Sequence, residues 1–174
     1  MLNRRKLLKQ MVMVGAGFVL VPSCLSDKSK SSILLKKIKI DADQENNLAE
    51  LCETIIPKTA TPGAKDISAH LFVLKMVDDC MKKTDQDNFI RGTHEFEAFC
   101  KTTTGRSFKM CNPEERKSIV NSVMAMKDEK SSLALYFKTV KRLTIQAYTS
   151  SEFFLTKVQV YKIIPGKYKG CVPA

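Results

Sequence analysis

Apolar residues recur at three- and four-residue intervals along most of the chain, the spacing that collects them on one face of an α-helix. The clearest stripe is Leu48, Leu51, Cys52, Ile55 and Ile56. Asp43 is placed to cap this helix and Pro57 to stop it. Pro62-Gly63 marks a turn within the loop 59–65. A second helix is predicted over 68–83, where Leu71, Phe72, Val73, Leu74, Met76, Val77, Cys80 and Met81 make most of the surface apolar and point to a central position. A third, over 85–102 with Thr84 or Asp85 as its cap, carries Phe89, Ile90, Thr93, Phe96 and Cys100 on one face; Gly105 breaks it. The fourth has the strongest start signal: Asn112 as cap, Pro113 at the first helical position and Glu115 completing a capping box. Its buried face is Ile119, Val120, Val123 and Met124. The fifth, over 131–149, presents Leu133, Phe137, Val140, Leu143, Thr144, Ala147 and Tyr148, and a short sixth starts at Ser150 or Ser151. The closing run 163–174 holds two prolines and two glycines, which predicts an extended tail lying over the bundle or a partner. No strand alternation and no repeat is visible. The pattern predicts an all-α bundle of five to six helices with an irregular extended C-terminal tail, preceded by a signal segment.

That segment follows a different rule. Arg4 and Arg5 open a basic cluster, an apolar run from Met11 to Val21 follows, and Pro22, Ser23 and Cys24 end it. A charged start, a short apolar middle and a small residue before the cut describe an export signal. Paired arginines point to the twin-arginine route, which carries folded proteins. The run of eleven residues falls short of the about 20 a spanning helix needs. Cys24 is the expected lipidation site, although Val21 and Pro22 depart from the usual lipoprotein box. The expected organisation is a twin-arginine/lipoprotein signal peptide at 1–23, a lipid-anchored tether at 24–40 and a helical domain at 41–174. The expected location is the periplasmic face of a bacterial membrane.

Composition changes the picture little. The formal charge is +11 over 174 residues, and it falls to +7 once Arg4, Arg5, Lys6 and Lys9 leave with the signal. The remaining cations are spread along the chain, with no basic stripe interleaved with aromatics. The expectation is therefore no nucleic acid partner but a solvated surface, an acidic partner or anionic headgroups. None of the six cysteines has C-x-x-C spacing, which excludes zinc ribbons, thioredoxin-like motifs and covalent haem c. With Cys24 acylated, five cysteines remain. Cys52 and Cys80 read as core residues, Cys100 and Cys111 flank a short turn and could bridge, and Cys171 is the candidate for the odd thiol. His70 and His94 lack partners at metal-ligand spacing. Asp78-Asp79 and Glu114-Glu115 are adjacent on helices and so point apart. No phosphate loop, dinucleotide motif or nucleophile elbow is present. The reading is a chain without catalytic, cofactor-binding or metal residues of its own.

The residues also carry a resemblance. Leu48 to Asp66, with Thr54-Ile55-Ile56-Pro57 and Pro62-Gly63-Ala64-Lys65-Asp66 at its core, resembles the opening motif of the gluconate 2-dehydrogenase subunit 3 family. Gly105 and Phe108, Asn112 to Glu115, Thr149-Ser150-Ser151-Glu152 and the closing Ile164 to Pro173 agree in order and spacing. The resemblance implies a small non-catalytic subunit of a flavin-dependent sugar or sugar-acid dehydrogenase of the glucose–methanol–choline type. It implies FAD in a large partner subunit, a haem c subunit that takes the electrons, and no cofactor in this chain. It also implies that the small subunit lends the flavin subunit its export signal; Cys24 would add membrane attachment. The expected contact surface is the Pro62-Gly63 loop with Tyr161, Pro165, Gly166, Tyr168 and Cys171 of the tail, and Cys171 could form a disulfide to the large subunit. The competing reading is a free-standing lipid-anchored binding module of the cell envelope.

Overall fold

The computed structural model describes residues 30–126, 128, 130–159 and 166. Arg4, Arg5, Cys24, Tyr161, Pro165, Tyr168 and Cys171 lie outside the described residues. The chain divides into residues 1–30 and a compact unit from Ser31 to Ala174. Within that unit the described elements are helical: α1 Ala42–Ile55, α2 Ala69–Cys80, α3 Lys83–Thr104, a 3₁₀ turn Phe108–Met110, α4 Pro113–Met124, α5 Ser132–Thr149 and a π-helical turn Phe154–Val158. The all-α bundle expected from the periodicity is observed.

Where the start signals compete, the backbone decides. Asp41, not Asp43, caps α1: it is extended, accepts the Gln44 N–H at 2.8 Å, and Gln44 reaches back to its N–H to close a capping box. Asp43 instead lies in the first turn, where the helix dipole favours it, and pairs with Lys109 Nζ at 2.5 Å. α3 starts two residues before the expected site, with Lys82 as a cap that makes no side-chain bond and Asp85 in its first turn. It ends at Gly105, whose φ of 70° is the left-handed conformation glycine tolerates best. The capping box of α4 is formed as its spacing predicts. Ser131 caps α5.

The core runs between α2, α3 and α5. α5 holds the central place expected of the second helix, because it buries Leu133, Tyr136, Phe137, Val140, Leu143, Thr144 and Ala147 against its neighbours. At its crossing with α3, a Cβ on Gly92 would run into Tyr136 and stand 2.5 Å from Ser132 O, so only glycine permits this approach. Phe89, Phe96, Phe108 and Tyr136 form a ring cluster with centroids 5.0–5.8 Å apart. Two expected core residues face out: Cys80 and Met124 are exposed.

Residues 31–40, which the serine and lysine content assigns to the tether, are part of the packed unit. Ile38 and Ile40 are buried, and Ile33 and Leu35 pack against the core. The fastening is polar. Asp78 on α2 is fully buried and accepts the N–H groups of Lys36, Lys37 and Ile38 at 2.8, 2.6 and 2.9 Å. Glu45 on α1 accepts the N–H and hydroxyl of Ser32 at 2.6 and 2.5 Å. These bonds give an irregular strap the partners that its buried N–H groups require. Asp79, one position on, faces solvent and pairs with Lys75 at 3.2 Å. Gln86 closes the other side by offering its amide to the carbonyls of Val77, Asp78 and Met81 at the end of α2.

Burial alone would raise the Asp78 pKa. The three strap N–H groups, aided by the Lys75 charge, outweigh it and hold the carboxyl below its ordinary 3.8. A carboxyl with a depressed folded-state pKa stabilises fully above its unfolded value and loses that contribution as pH falls through the folded one. Asp78→Ala is therefore expected to cost about 3 kcal/mol or more in urea unfolding at pH 7, with three N–H groups left unpaired. Asp78→Asn should cost less, and its deficit against wild type should shrink below about pH 4. A deficit independent of pH would show that the charge does not hold the strap.

Candidate functional surface

Two carboxylates shape the loop that follows α1. Glu53, in the last turn of α1, accepts the backbone N–H of Lys58 and of Lys65, each at 2.8 Å. Asp66 accepts the Gly63 N–H at 3.0 Å and pairs with Lys58 Nζ at 3.1 Å. The Gly63 N–H and the Lys58 charge hold the Asp66 carboxyl below its ordinary value. Ala64 N–H reaches Ile56 O at 2.9 Å, so the loop folds back on the end of its own helix. Gly63 is buried in the fold, and a Cβ there would stand 2.6 Å from Glu53 Oε2 and 2.7 Å from Lys58 N. The glycine is required by close approach rather than by dihedral angle. Ser68, the turn residue before α2, carries φ 54°, a conformation that costs a non-glycine residue about 1 kcal/mol or more.

The far end of α5 meets this loop. Tyr148 donates its hydroxyl to Pro62 O at 3.1 Å, across 86 positions of sequence. Its ring packs edge-on against Phe153 and Phe154, at 6.4 and 6.1 Å. Between loop and helix end lies an open groove of about 570 Å³, lined by Asp66, Ile67, Phe72, Ala147, Ser150, Ser151, Glu152, Phe153, Thr156 and Lys157. Ile67, Phe72 and Phe153 give it an apolar floor, while Asp66, Glu152 and Lys157 are exposed. Thus Asp66 and Ser150–Glu152, far apart in the chain, line one groove, and Tyr148 ties Pro62 to the same helix end.

The groove's hydroxyls are committed to structure. Ser150 donates to Gln146 O at 2.8 Å, and Ser151 donates to Tyr148 O at 2.7 Å while accepting the Phe154 N–H. Ser151 thus performs the capping role expected of this pair, at the start of a π-helical turn rather than an ordinary helix. Neither serine has a histidine among its hydrogen-bond partners. The histidines sit elsewhere. His94 is exposed, and His70 is half-buried with Nε2 3.9 Å from Glu45; burial lowers its pKa. No group of three metal-ligating side chains occurs among the described residues.

A second staple holds α1, the 3₁₀ turn and α4 together. Arg116 pairs with Glu50, donates to Phe108 O and Lys109 O, and lies over the Phe108 ring. Asn47 Oδ1 accepts Ser107 Oγ and the Lys109 N–H. Near it lie Cys100 and Cys111, the pair that could bridge, here as two free thiols. Cys111 Sγ lies 3.4 Å from Thr104 Oγ1, and burial pushes Cys100 up to about 12. Cys52 is likewise buried and raised to about 12, with Thr144 donating to its sulfur at 3.2 Å. Of the expected contact residues, Pro62 and Gly63 lie in the loop beside the groove without lining it, Pro62 accepting the Tyr148 hydroxyl and Gly63 being buried; Gly166 is exposed. Sequence reasoning missed Glu53, Asp66, Tyr148 and Phe153 as the residues that build the surface.

The family model for gluconate 2-dehydrogenase subunit 3 matches residues 42–166. No curated protein and no solved structure shows significant similarity to the chain.

Gly63→Ala should push Glu53 off the Lys58 and Lys65 N–H groups. The expected result is at least about tenfold faster tryptic cleavage at Lys58 and Lys65, with helical circular dichroism unchanged, because local opening costs less than global unfolding. Glu53→Gln, which keeps one acceptor, should give a smaller increase. Cleavage at the wild-type rate in both variants would contradict the role assigned to these bonds.

Proposed function

The chain belongs to the gluconate 2-dehydrogenase subunit 3 family, and from that membership we propose that it is the non-catalytic small subunit of a flavin-dependent dehydrogenase acting on a sugar or sugar acid. Its partner is a large subunit of the glucose–methanol–choline type that holds FAD. A haem c subunit accepts the electrons. This chain binds the flavin subunit, supplies its export signal through Arg4 and Arg5, and attaches the complex at the periplasmic face of a membrane through Cys24.

The observation that supports the binding role is the convergence of Asp66 and Ile67, at the end of the loop, with Ser150–Glu152 on one open groove, while Tyr148 ties Pro62 to the same helix end. The groove combines an apolar floor with an exposed charged rim, the make-up of a protein contact surface. Its serines are spent on capping, and Glu53 and Asp66 are spent on holding the loop. A preformed surface of this kind loses little conformational entropy when a partner docks.

The export role follows from the order of events. Flavin insertion requires the large subunit to fold before it crosses the membrane. A folded protein without its own signal needs a companion on the twin-arginine route, and paired arginines provide that address.

Tagged protein drawn from membranes in mild detergent is expected to bring a flavoprotein with it. Replacing Arg4 and Arg5 by lysine should leave that flavoprotein in the cytoplasm. Absence of any flavoprotein, or its normal export beside the lysine variant, would count against the reading and favour a free-standing envelope module.

A further inference from the structure

The strap and the start of α3 form a second surface, away from the loop of the proposed partner site in sequence and built differently. Along the strap, burial alternates: Ile33, Leu35, Ile38 and Ile40 turn inward, while Leu34, Lys36, Lys37 and Lys39 turn out. Leu34 is 79% exposed, the most exposed large apolar side chain among those described. Lys37 and Lys39 continue into an open groove of about 570 Å³ whose other walls include Lys83, Asp87, Arg91 and His94.

The charges of this groove do not cancel. Lys83 is neutralised by Asp87 at 2.8 Å. Lys37 Nζ donates only to a neutral backbone carbonyl, Asp79 O at 3.3 Å, and Arg91 donates to the neutral amide oxygen of Asn88 at 3.4 Å. The nearby Asp79 carboxylate is occupied by Lys75. Among the described residues Lys37, Lys39 and Arg91 therefore leave three positive charges in this groove, and the outward Leu34 stands three positions before Lys37 on the strap.

We propose that this face docks on a bilayer surface carrying anionic headgroups. Chain length favours a membrane over an acidic protein as the occupant. Six residues separate Cys24 from Ser31, which spans at most about 25 Å even when fully extended. Because Asp78 and Glu45 fasten the strap from Ser32 onward, the start of the strap stays within about 25 Å of whatever surface holds Cys24. The argument rests on the reading of Cys24 as an anchor, but the binding it predicts belongs to the folded unit. A lipoprotein cysteine carries more than one acyl chain and anchors stably, and a basic patch on the folded unit adds electrostatic attraction that orients it on the bilayer.

The test uses the chain from residue 24 with Cys24→Ser, which keeps the compact unit whole and removes any lipid. It should sediment with vesicles of phosphatidylcholine containing about one-third phosphatidylglycerol, in a salt-sensitive manner, and not with phosphatidylcholine alone. A Lys37→Glu, Lys39→Glu, Arg91→Glu variant with unchanged circular dichroism should bind at least about a hundredfold more weakly. Leu34→Ser should bind about tenfold more weakly. Equal binding by the charge-reversed variant, or equal binding to both vesicle types, would overturn the proposal. So would a charge-reversed full-length chain that loses its co-purifying flavoprotein while the charge-reversed Cys24→Ser form still binds vesicles normally, because the patch would then belong to the partner protein. Mass spectrometry of Cys24 in the native protein separately tests the anchor, so failure of one reading is distinguishable from failure of the other.

Discussion

A carboxylate placed where irregular backbone must be buried is the interaction on which this fold turns. A helical bundle satisfies its own N–H groups, but the segments that connect or flank its helices cannot. Here the strap and the loop after α1 are each met by acidic side chains projecting from helices. Asp78 takes three consecutive N–H groups of the strap, Glu45 takes Ser32, and Glu53 takes Lys58 and Lys65 of the loop. Glu50 does so indirectly, by holding the arginine that binds the carbonyls of the 3₁₀ turn. Such bonds are charge-assisted and stronger than neutral ones, and an unpaired N–H left behind them is costly.

The functional reading depends on this fastening. The Pro62–Asp66 loop is a surface of fixed shape because Glu53 and Asp66 hold it from two sides and Tyr148 pins Pro62 to the end of α5. The strap is fixed in the same way, and so the basic face bordering it has a defined place in the unit. On the proposed reading one chain carries two surfaces, one that meets a protein and one that meets a charged bilayer. That arrangement fits a subunit whose work is to bring a partner to a place and hold it there.

The helices were legible because their cores obey a 3.6-residue period, and α4 was legible to the residue because Asn112, Pro113 and Glu115 form an unambiguous start. The strap was not. Its serines and lysines read as solvated linker, and nothing local reveals that Asp78, more than 40 positions away, gathers its N–H groups. The same blindness hid Glu53, whose partners lie in a loop with no periodicity. Asp43 and Asp41 are both good caps, and only the backbone of Asp41 and the reach of Gln44 separate them. Cys80 looks buried by spacing because α2 is rich in apolar residues, yet its face at the end of the helix turns to solvent. Of the stretches around the groove, Pro62-Gly63 was visible as a turn. The helix end, with Tyr148 and Phe153, reads as ordinary core until the fold brings it to the loop.

Hydrogen exchange of the backbone in the purified complex, compared with the small subunit alone, tests the central claim directly. The account predicts added protection at residues 59–67 and 146–157, where loop and helix end form one groove, and little change along the middle of α3. Protection confined to other helices, with the groove exchanging as in the free chain, would contradict it.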